Sequence, residues 1–164
     1  MPHKPCRALF LCTGNYYRSR FAELLFNERA RERGLSWRAD SAGLACQCSL
    51  RNAGDISPDA REGLRALGIA CPDRARPPRD ATLADLESAD CVIALSEREH
   101  RPMLLARFPA LTRRVVYWQV EDIGLVSPRL ALAEIERQVE RLLGELESMG
   151  CASRGVRAAA EAQG

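Results

Sequence analysis

The sequence predicts an α/β fold in which helices alternate with the strands of a parallel sheet. Short, uninterrupted apolar runs, which are typical of strands buried on both faces, recur along the 164 residues. Segments with the apolar spacing and the end signals of amphipathic helices lie between these runs. This alternation favours a single sheet with right-handed crossovers. We expect one domain over residues 1–149 and a flexible tail over the Ala-, Arg- and Gly-rich residues 150–164.

The predicted strands locate the first candidates for a functional site. Three apolar runs have the length of buried strands: residues 8–11, 91–95 and 115–118. Residues 37–42 are less apolar, as expected of a strand at the edge of the sheet. Ligands of such sheets bind beyond the carboxyl ends of the strands. Cys12, which follows the first run, and Asp122, which lies just beyond the last, are therefore the first candidates.

Five helices are predicted from apolar stripes and end signals. The first has an apolar face that stops at a glycine: Phe21, Leu24, Leu25, Ala30 and Gly34. The second begins at the Ser-Pro pair 57–58, with proline in its favoured first position, and ends at Gly68. Residues 82–85 and 96–99 have the spacing of capping boxes that begin the next two. The last helix has one apolar face: Ile135, Val139, Leu142, Leu143 and Leu146.

Composition and charge narrow the possible partners and the compartment. The formal net charge is only +2, with acids and bases interspersed, so we expect neither a nucleic-acid-binding nor a membrane-binding surface. No apolar stretch approaches the length of a membrane span. Seven cysteines are an odd number, and the chain is longer than most disulfide-stabilised secreted domains. We therefore expect reduced thiols and a cytoplasmic location.

The loop from Cys12 to Arg18 has the features of an anion-binding site. It begins where a buried strand ends and finishes where an amphipathic helix starts, so backbone N–H groups and the helix dipole favour an anion. Gly14 can adopt the positive φ that a tight turn requires. Arg18 offers a planar fork to two oxygens of a tetrahedral oxyanion. The same field favours the thiolate form of Cys12, to which the Ser19 hydroxyl can donate.

Several short motifs around and beyond this loop form a recognisable set. Those at the loop are Leu11-Cys12-Thr13-Gly14-Asn15, Arg18-Ser19 and Ala22-Glu23. Those further along are Asp40-Ser41-Ala42-Gly43, Leu86-Glu87-Ser88-Ala89-Asp90 and Val120-Glu121-Asp122. Together they resemble the low-molecular-weight protein tyrosine phosphatases of the arsenate reductase-like superfamily. The likeness covers residues 6–148.

This resemblance implies a three-layer sandwich with a four-stranded parallel sheet flanked by helices, the phosphate loop after the first strand, and neither metal nor other cofactor. It also implies hydrolysis of phosphate monoesters, in a phosphorylated protein or a small phosphoester, through a phosphocysteine intermediate. Cys12 would be the nucleophile, Arg18 the phosphate clamp and Asp122 the general acid. Ser19 and Ser41 would support the loop. Six consecutive residues would bind the phosphate: Thr13, Gly14, Asn15, Tyr16, Tyr17 and Arg18.

Three positions depart from the family pattern. Tyr17 stands where many members carry a second cysteine, so no disulfide within the loop can protect an oxidised Cys12. Tyr16 replaces a smaller residue that tunes substrate choice and is threonine in related arginine phosphatases, and its bulk makes phosphoarginine a less attractive substrate. Ile123 replaces the proline that usually follows the general acid, and the aromatic residues beyond it are missing. Phosphotyrosine is the expected substrate, but these departures leave that specificity open.

Two other functions share parts of this pattern. An arsenate reductase of the same fold would need two further cysteines near the end of the third strand, where residues 94–98 contain none. A non-catalytic phosphoprotein-binding module would keep Arg18 and lose the acid, whereas Asp122 is present. Cys46 and Cys48 are too few for a metal site without further ligands, and we expect them in a surface loop.

Overall fold

The computed structural model describes residues 3–49, 52–122 and 124–150. Its four strands form one parallel sheet: β1 (Cys6–Cys12), β2 (Trp37–Gly43), β3 (Cys91–Ala94) and β4 (Val115–Tyr117). Their order across the sheet is β2-β1-β3-β4, which places β2 at an edge, as predicted. The predicted four-stranded parallel sheet is therefore confirmed.

The register of β1 and β2 places two chain segments together at the site. Cys6 is paired with Trp37, and the pairing continues without a break to Cys12 opposite Gly43. The carboxyl ends of both strands therefore meet at the same edge of the sheet. Beyond the strand ends, the N–H of Leu44 donates to the Cys12 carbonyl at 2.9 Å, which extends the pairing toward the loop.

Helices cover both faces of this sheet and complete the three predicted layers. Their bounds are α1 (Arg18–Glu32), α2 (Pro58–Ala66), α3 (Leu83–Ser88), α4 (Glu97–Arg107) and α5 (Pro128–Met149). One core lies between the sheet and the layer of α1, α2 and α5, and includes Phe10 and Ile135. The other lies on the side of α3 and α4, and includes Leu11 and Leu104. Successive residues of β1 thus serve opposite cores, as expected of a central strand.

The helix ends follow local chemistry, with one correction. Thr82 and Asp85 form the predicted capping box, because each side chain bonds the backbone N–H of the other residue. Only one of the two hydrogen bonds of the second predicted capping box, at residues 96–99, is formed. Ser96 accepts from the Glu99 N–H at 3.4 Å, but the Glu99 carboxylate bonds Arg18 instead of returning to the cap. A buried guanidinium is a stronger partner for a carboxylate than an N–H at a helix start.

The end of the chain is described only in part. Gly150, which follows α5, has a φ of +64° and is the last described residue. The rest of the predicted tail, residues 151–164, lies outside the described residues. None of the helices in the ranges given above is long and apolar enough to cross a membrane.

Candidate active site

The thiol of Cys12 lies at the carboxyl end of the central strand β1. Its Sγ is 2.9 Å from Oγ of Ser19, and both residues are buried. Ser19 belongs to the first turn of α1, so the loop between the two residues closes on itself. The N–H of Ala45 donates to the Thr13 carbonyl at 2.9 Å and fixes the first residue of the loop against the chain after β2. The thiol and the hydroxyl therefore share one fixed centre.

Asn15, rather than Gly14, turns the loop. Its φ is +50°, the one positive φ of a non-glycine residue in the described part of the chain, and Gly14 is not among the glycines with positive φ. The sequence expectation for Gly14 was wrong because asparagine tolerates this conformation and its amide is fully bonded here. Nδ2 of Asn15 donates to the hydroxyls of Ser19 and Ser41, each at 2.9 Å.

Arg76 and Arg79 complete the bonding of Asn15 from below. Oδ1 of Asn15 accepts from Nη1 of Arg76 at 2.9 Å and from the backbone N–H of Arg79 at 3.1 Å. Nη2 of Arg76 also donates to the carbonyl and the hydroxyl of Ser41, at 2.7 and 3.1 Å. We call Asn15, Ser19, Ser41, Arg76 and Arg79 together the loop floor. The two arginines were missed because they stand in an irregular segment without periodicity or motif.

A buried acid lies next to the loop floor. Glu23 pairs with Arg20 at 2.8 Å and lies 3.5 Å from Arg76, which in turn is 3.3 Å from Asp40. Burial raises the pKa of Glu23 to about 7, and the neighbouring Arg20 opposes that rise only in part. The acid is therefore poised to titrate near neutral pH beside the groups that hold the loop.

Arg18 is held in a fixed orientation by Glu99. The guanidinium is 2% exposed, and its Nη1 and Nη2 each donate to one carboxylate oxygen of Glu99 at 2.9 Å. Nη1 also donates to the Val120 carbonyl at 3.0 Å. This contact with Arg18 was not predicted, because Glu99 had been interpreted only as part of a capping box. Partial burial acts to raise the pKa of Glu99, but hydrogen bonds from His100 and Arg18 outweigh it and lower that pKa well below its ordinary value.

Glu99 also connects the clamp to the first loop residue. The hydroxyl of Thr13 donates to the Glu99 carboxylate and lies 3.2 Å from Nε2 of His100. Nδ1 of His100 accepts from the Ser96 N–H at 3.0 Å, so the neutral ring carries its proton on Nε2. Burial lowers the pKa of His100 and favours this neutral form. One end of α4 thus bonds both Thr13 and Arg18.

Asp122 approaches the same clamp from beyond β4. Its Oδ2 lies 3.5 Å from Nη2 of Arg18, and its side chain is 50% exposed. Glu121, the neighbouring acid, is paired with Arg98 at 2.6 Å. The turn after Asp122 is closed by a bond of 3.2 Å from the Leu125 N–H to the Asp122 carbonyl. Cys12, Arg18 and Asp122, predicted from distant parts of the sequence, therefore belong to elements that meet at one edge of the sheet.

Tyr16 and Tyr17 use their hydroxyls to brace neighbouring segments. Tyr16 is half-buried and donates to the Ala53 carbonyl at 2.6 Å. Tyr17 is buried and donates to the Pro128 carbonyl at 3.3 Å. The two side chains thus connect the loop to the segment before α2 and to the first turn of α5. Ile123, the third departure from the family pattern, lies outside the described residues.

Cys46 is packed against the loop, contrary to the expectation of a surface position. Its Sγ lies where a side chain on Gly43 would begin, 2.3 Å from an ideal Cβ, and 3.6 Å from the Gly14 carbonyl oxygen. Burial and the nearby Asp80 raise the pKa of the Cys46 thiol to about 12. The absence of a side chain at Gly43 creates this space. The surroundings of the Cys48 side chain lie outside the described residues.

The site combines a thiol at the carboxyl end of a central parallel strand with a short loop that leads into a helix N-terminus and a buried guanidinium. This arrangement is that of the cysteine-dependent phosphatases. Comparison with known families agrees. The model of the low molecular weight phosphotyrosine protein phosphatases matches residues 7–119, and the chain belongs to that family. The predicted family is therefore confirmed.

The individual proteins that this chain is similar to bear the names of two kinds of phosphatase, arginine phosphatases and protein tyrosine phosphatases. A protein-arginine-phosphatase of Bacillus subtilis (strain 168) is 34% identical over 100 residues, and this chain spans 61% of the length of that relative. A low molecular weight protein tyrosine phosphatase from T. tengcongensis has a TM-score of 0.72 and 27% identity, covering 86% of this chain and 99% of that one. An arginine phosphatase from Geobacillus stearothermophilus has a TM-score of 0.70 at 24% identity, covering 88% and 95%, and shows the shared fold alone.

Proposed function

We propose that the protein hydrolyses phosphate monoesters of phosphorylated proteins, phosphotyrosine foremost, through a phosphocysteine intermediate on Cys12. One observation carries the proposal. The buried Cys12 thiol lies 2.9 Å from the Ser19 hydroxyl, in a loop that ends at the buried guanidinium of Arg18. A nucleophile, a hydrogen-bond donor to it and a fixed cation thus surround one anion-binding loop.

In the first step the Cys12 thiolate attacks phosphorus. The S–P bond forms while the ester P–O bond breaks, and Asp122 donates a proton to the departing oxygen. In the second step Asp122 takes a proton from the attacking water, the S–P bond breaks and inorganic phosphate leaves. The Ser19 hydroxyl stabilises the thiolate that is regenerated. The oxygens of the phosphate are held by backbone N–H groups of the loop: Thr13, Gly14, Asn15, Tyr16, Tyr17 and Arg18.

The bonding of Arg18 leaves a suitable edge for the phosphate. A guanidinium has five N–H groups. Both hydrogens of Nη1 are used by Glu99 and by the Val120 carbonyl, and one hydrogen of Nη2 is used by Glu99. The Nε hydrogen and the second Nη2 hydrogen form the edge that we assign to two phosphate oxygens. Two parallel bonds of this kind recognise a tetrahedral anion in a defined orientation.

Asp122 contacts Arg18 in the structure, and we propose that a bound phosphate displaces it from this contact during the reaction. A bound phosphate dianion competes with the Asp122 carboxylate for Nη2 of Arg18, which is 3.5 Å away. In this proposal Asp122 then acts on the oxygen of the leaving group instead of pairing with Arg18.

Turnover of p-nitrophenyl phosphate by three proteins tests the proposal. We expect Cys12→Ser to lose activity by a factor on the order of 10³ or more, because a serine hydroxyl is a far weaker nucleophile at neutral pH. Asp122→Asn should lose about 10²- to 10⁴-fold, the usual contribution of a general acid. Cys91→Ser, a buried thiol in β3, is the matched control. Full activity of Cys12→Ser would contradict the proposal, and full activity of Asp122→Asn would assign the acid to another residue.

Phosphoarginine is the second candidate substrate, because the relative from Bacillus subtilis bears the name of a protein-arginine-phosphatase. The phenol of Tyr16, held by its bond to Ala53, supports phosphotyrosine instead, since it can form an aromatic wall beside the pocket. Peptides of one sequence carrying phosphotyrosine, phosphoserine or phosphoarginine separate these substrates. We expect the highest kcat/KM for phosphotyrosine, and a higher kcat/KM for phosphoarginine would reverse the assignment.

Redox chemistry is the less supported alternative. The residues at the end of β3, 94–98, contain no cysteine that could relay electrons to Cys12 as an arsenate reductase requires. We also propose a cytoplasmic location, and neither a nucleic acid nor a membrane as a partner. The free thiols of the five cysteines whose side chains are described, together with the near-neutral net charge, support these two proposals.

A further inference from the structure

A groove of about 530 Å³ runs between α2 and α5, outside the phosphate loop. Its lining includes the apolar side chains of Phe21, Leu67 and Leu132. Three carboxylates and one guanidinium also line it: Asp59, Glu62, Glu136 and Arg129. We call it the α2–α5 groove. The lining has a net negative charge, although one of its acids, Glu62, also lies 3.8 Å from the exposed Arg65.

Hydrogen bonds connect the phosphate loop to the starts of both helices that border the groove. The N–H of Ser57, which caps α2, donates to the Tyr16 carbonyl at 2.9 Å. The hydroxyl of Tyr17 donates to Pro128 in the first turn of α5. Burial, then the charges of Asp59 and Asp122, raise the pKa of Tyr17 to about 12. An acid of the groove and the proposed general acid therefore both act on one loop side chain.

We propose that the α2–α5 groove binds a basic segment of the phosphorylated protein, next to the residue whose phosphate enters the loop. The inference rests on the proposed phosphatase function. Lysine and arginine side chains fit such a surface, because their alkyl stems pack on apolar residues while their charged ends reach the carboxylates. An acidic segment would instead bring like charges together at the three carboxylates.

The occupant is a peptide segment because of where the groove lies. It leads from the first turns of α2 and α5, which contact Tyr16 and Tyr17, along both helices as far as Leu67 and Glu136. Pro128, which lines the groove, accepts the hydroxyl of Tyr17, so a peptide that extends from a phosphate in the loop past Tyr17 reaches this surface. A small phosphoester such as p-nitrophenyl phosphate does not extend that far, so the groove should affect peptides only.

Phosphotyrosine peptides with three arginines or three glutamates on one side of the phosphoresidue test this proposal. We expect kcat/KM to be higher for the arginine peptide, on the order of tenfold at low ionic strength, and this ratio to fall in 0.5 M salt. Placing the charges on the other side of the phosphoresidue gives the direction of the bound chain. Turnover of p-nitrophenyl phosphate, measured in parallel, reports on the phosphatase chemistry itself.

The double variant Glu62→Gln/Glu136→Gln should reduce the ratio to about threefold or less, mainly through KM. Asp73→Asn/Glu87→Gln removes the same number of charges outside the groove and should keep the wild-type ratio. Two outcomes would contradict binding of a basic segment in the α2–α5 groove. One is an equal kcat/KM for the two peptides, and the other is a wild-type preference for the arginine peptide in the Glu62/Glu136 variant. Absence of turnover of p-nitrophenyl phosphate by the wild type would contradict the phosphatase function instead.

Discussion

The loop floor and the more exposed residues near the loop are held in opposite ways. We call these exposed residues, Tyr16, Asp122 and Leu125, the rim. On the floor, Asn15, Ser19 and Ser41 have no exposed surface, and the Asn15 amide is bonded on all sides. At the rim, Asp122 is 50% exposed and Leu125 is 65% exposed. The floor is fixed by buried hydrogen bonds, whereas half or more of each of these two rim side chains is exposed.

This difference separates the reaction from the choice of substrate. A buried network holds its members in one arrangement, because each unpaired group would lose a hydrogen bond without gaining water. Exposed turns tolerate substitution because their polar groups remain hydrated. Changes at the floor should impair every substrate, whereas changes at the rim, apart from the proposed general acid Asp122, should alter which substrate is preferred.

The same substitution at the two regions should give the largest contrast. Asn15→Ala removes four hydrogen bonds, those to the Ser19 and Ser41 hydroxyls, to Nη1 of Arg76 and to the Arg79 N–H, and forces alanine into a positive φ. We expect kcat for p-nitrophenyl phosphate to fall on the order of 10²-fold, and the free energy of unfolding to fall by about 2–3 kcal/mol. Kinetics and urea denaturation measure both. Asn52→Ala, in the exposed loop before α2, is the control and should change either quantity little. Similar losses in the two variants would remove the distinction.

The support of Arg18 should rank next. Glu99→Gln keeps the size of the side chain but removes the charge that pairs with both Nη atoms of Arg18. We expect about a tenfold loss of kcat/KM with every substrate, because the clamp edge is no longer held in one orientation. Glu97→Gln, two residues earlier and paired with the exposed Arg101, is the matched control. An unchanged kcat/KM in Glu99→Gln would mean that the loop alone orients the clamp.

Titration of Glu23 should appear as a pH dependence of stability. Its pKa is about 7 in the folded protein and near its ordinary value of 4.5 in the unfolded chain. Between these values the folded state retains a proton that the unfolded state releases, so stability falls as the pH rises from about 4.5 to about 7. The loss should be on the order of 2–4 kcal/mol.

Urea denaturation across this pH range measures that slope. In Glu23→Gln the slope should be reduced, because the side chain no longer titrates. Glu62→Gln removes an exposed acid of α2 and should keep the wild-type slope. A slope that is the same in Glu23→Gln and in the wild type would show that another group is responsible.

The smallest effect should come from the rim. Tyr16→Phe removes one bond, from the phenol to the Ala53 carbonyl, and keeps the aromatic ring. We expect a change within about 0.5 kcal/mol in the free energy of unfolding, and a change of KM rather than of kcat for phosphotyrosine peptides. A large loss of kcat would move Tyr16 from the rim to the catalytic machinery.

The residues of the site that could be predicted from the sequence are mostly those that lie close together along the chain. Cys12, Arg18 and Ser19 lie within one strand, loop and helix, and an apolar run followed by a capped helix indicates their positions. Asp122 was found because the carboxyl ends of parallel strands meet at one edge. The number of strands and their parallel arrangement came from the family resemblance, and of the strand order only the edge position of β2 was predicted.

The resemblance predicted the two supporting serines, but the charged supporting residues could not be predicted, because their partners are distant in sequence. Arg76 bonds Asn15 from 61 positions away, and Glu99 bonds Arg18 from 81 positions away. Neither residue lies in a periodic pattern that distinguishes it from the many other charged residues of the chain. The wrong assignment of the positive φ to Gly14 has the same origin. The conformation belongs to Asn15 because Ser41 and Arg76, which the loop sequence does not contain, satisfy its amide.

The most direct test of the account is to trap the intermediate. Wild-type protein mixed with ³²P-labelled phosphotyrosine peptide and quenched within milliseconds should carry label on a single tryptic peptide, the one that contains Cys12. The bond should have the acid and alkali stability of a thiophosphate, and Cys12→Ser should yield no such species. Label on a different residue, or rapid turnover without any labelled protein, would contradict the assignment of Cys12 as the nucleophile.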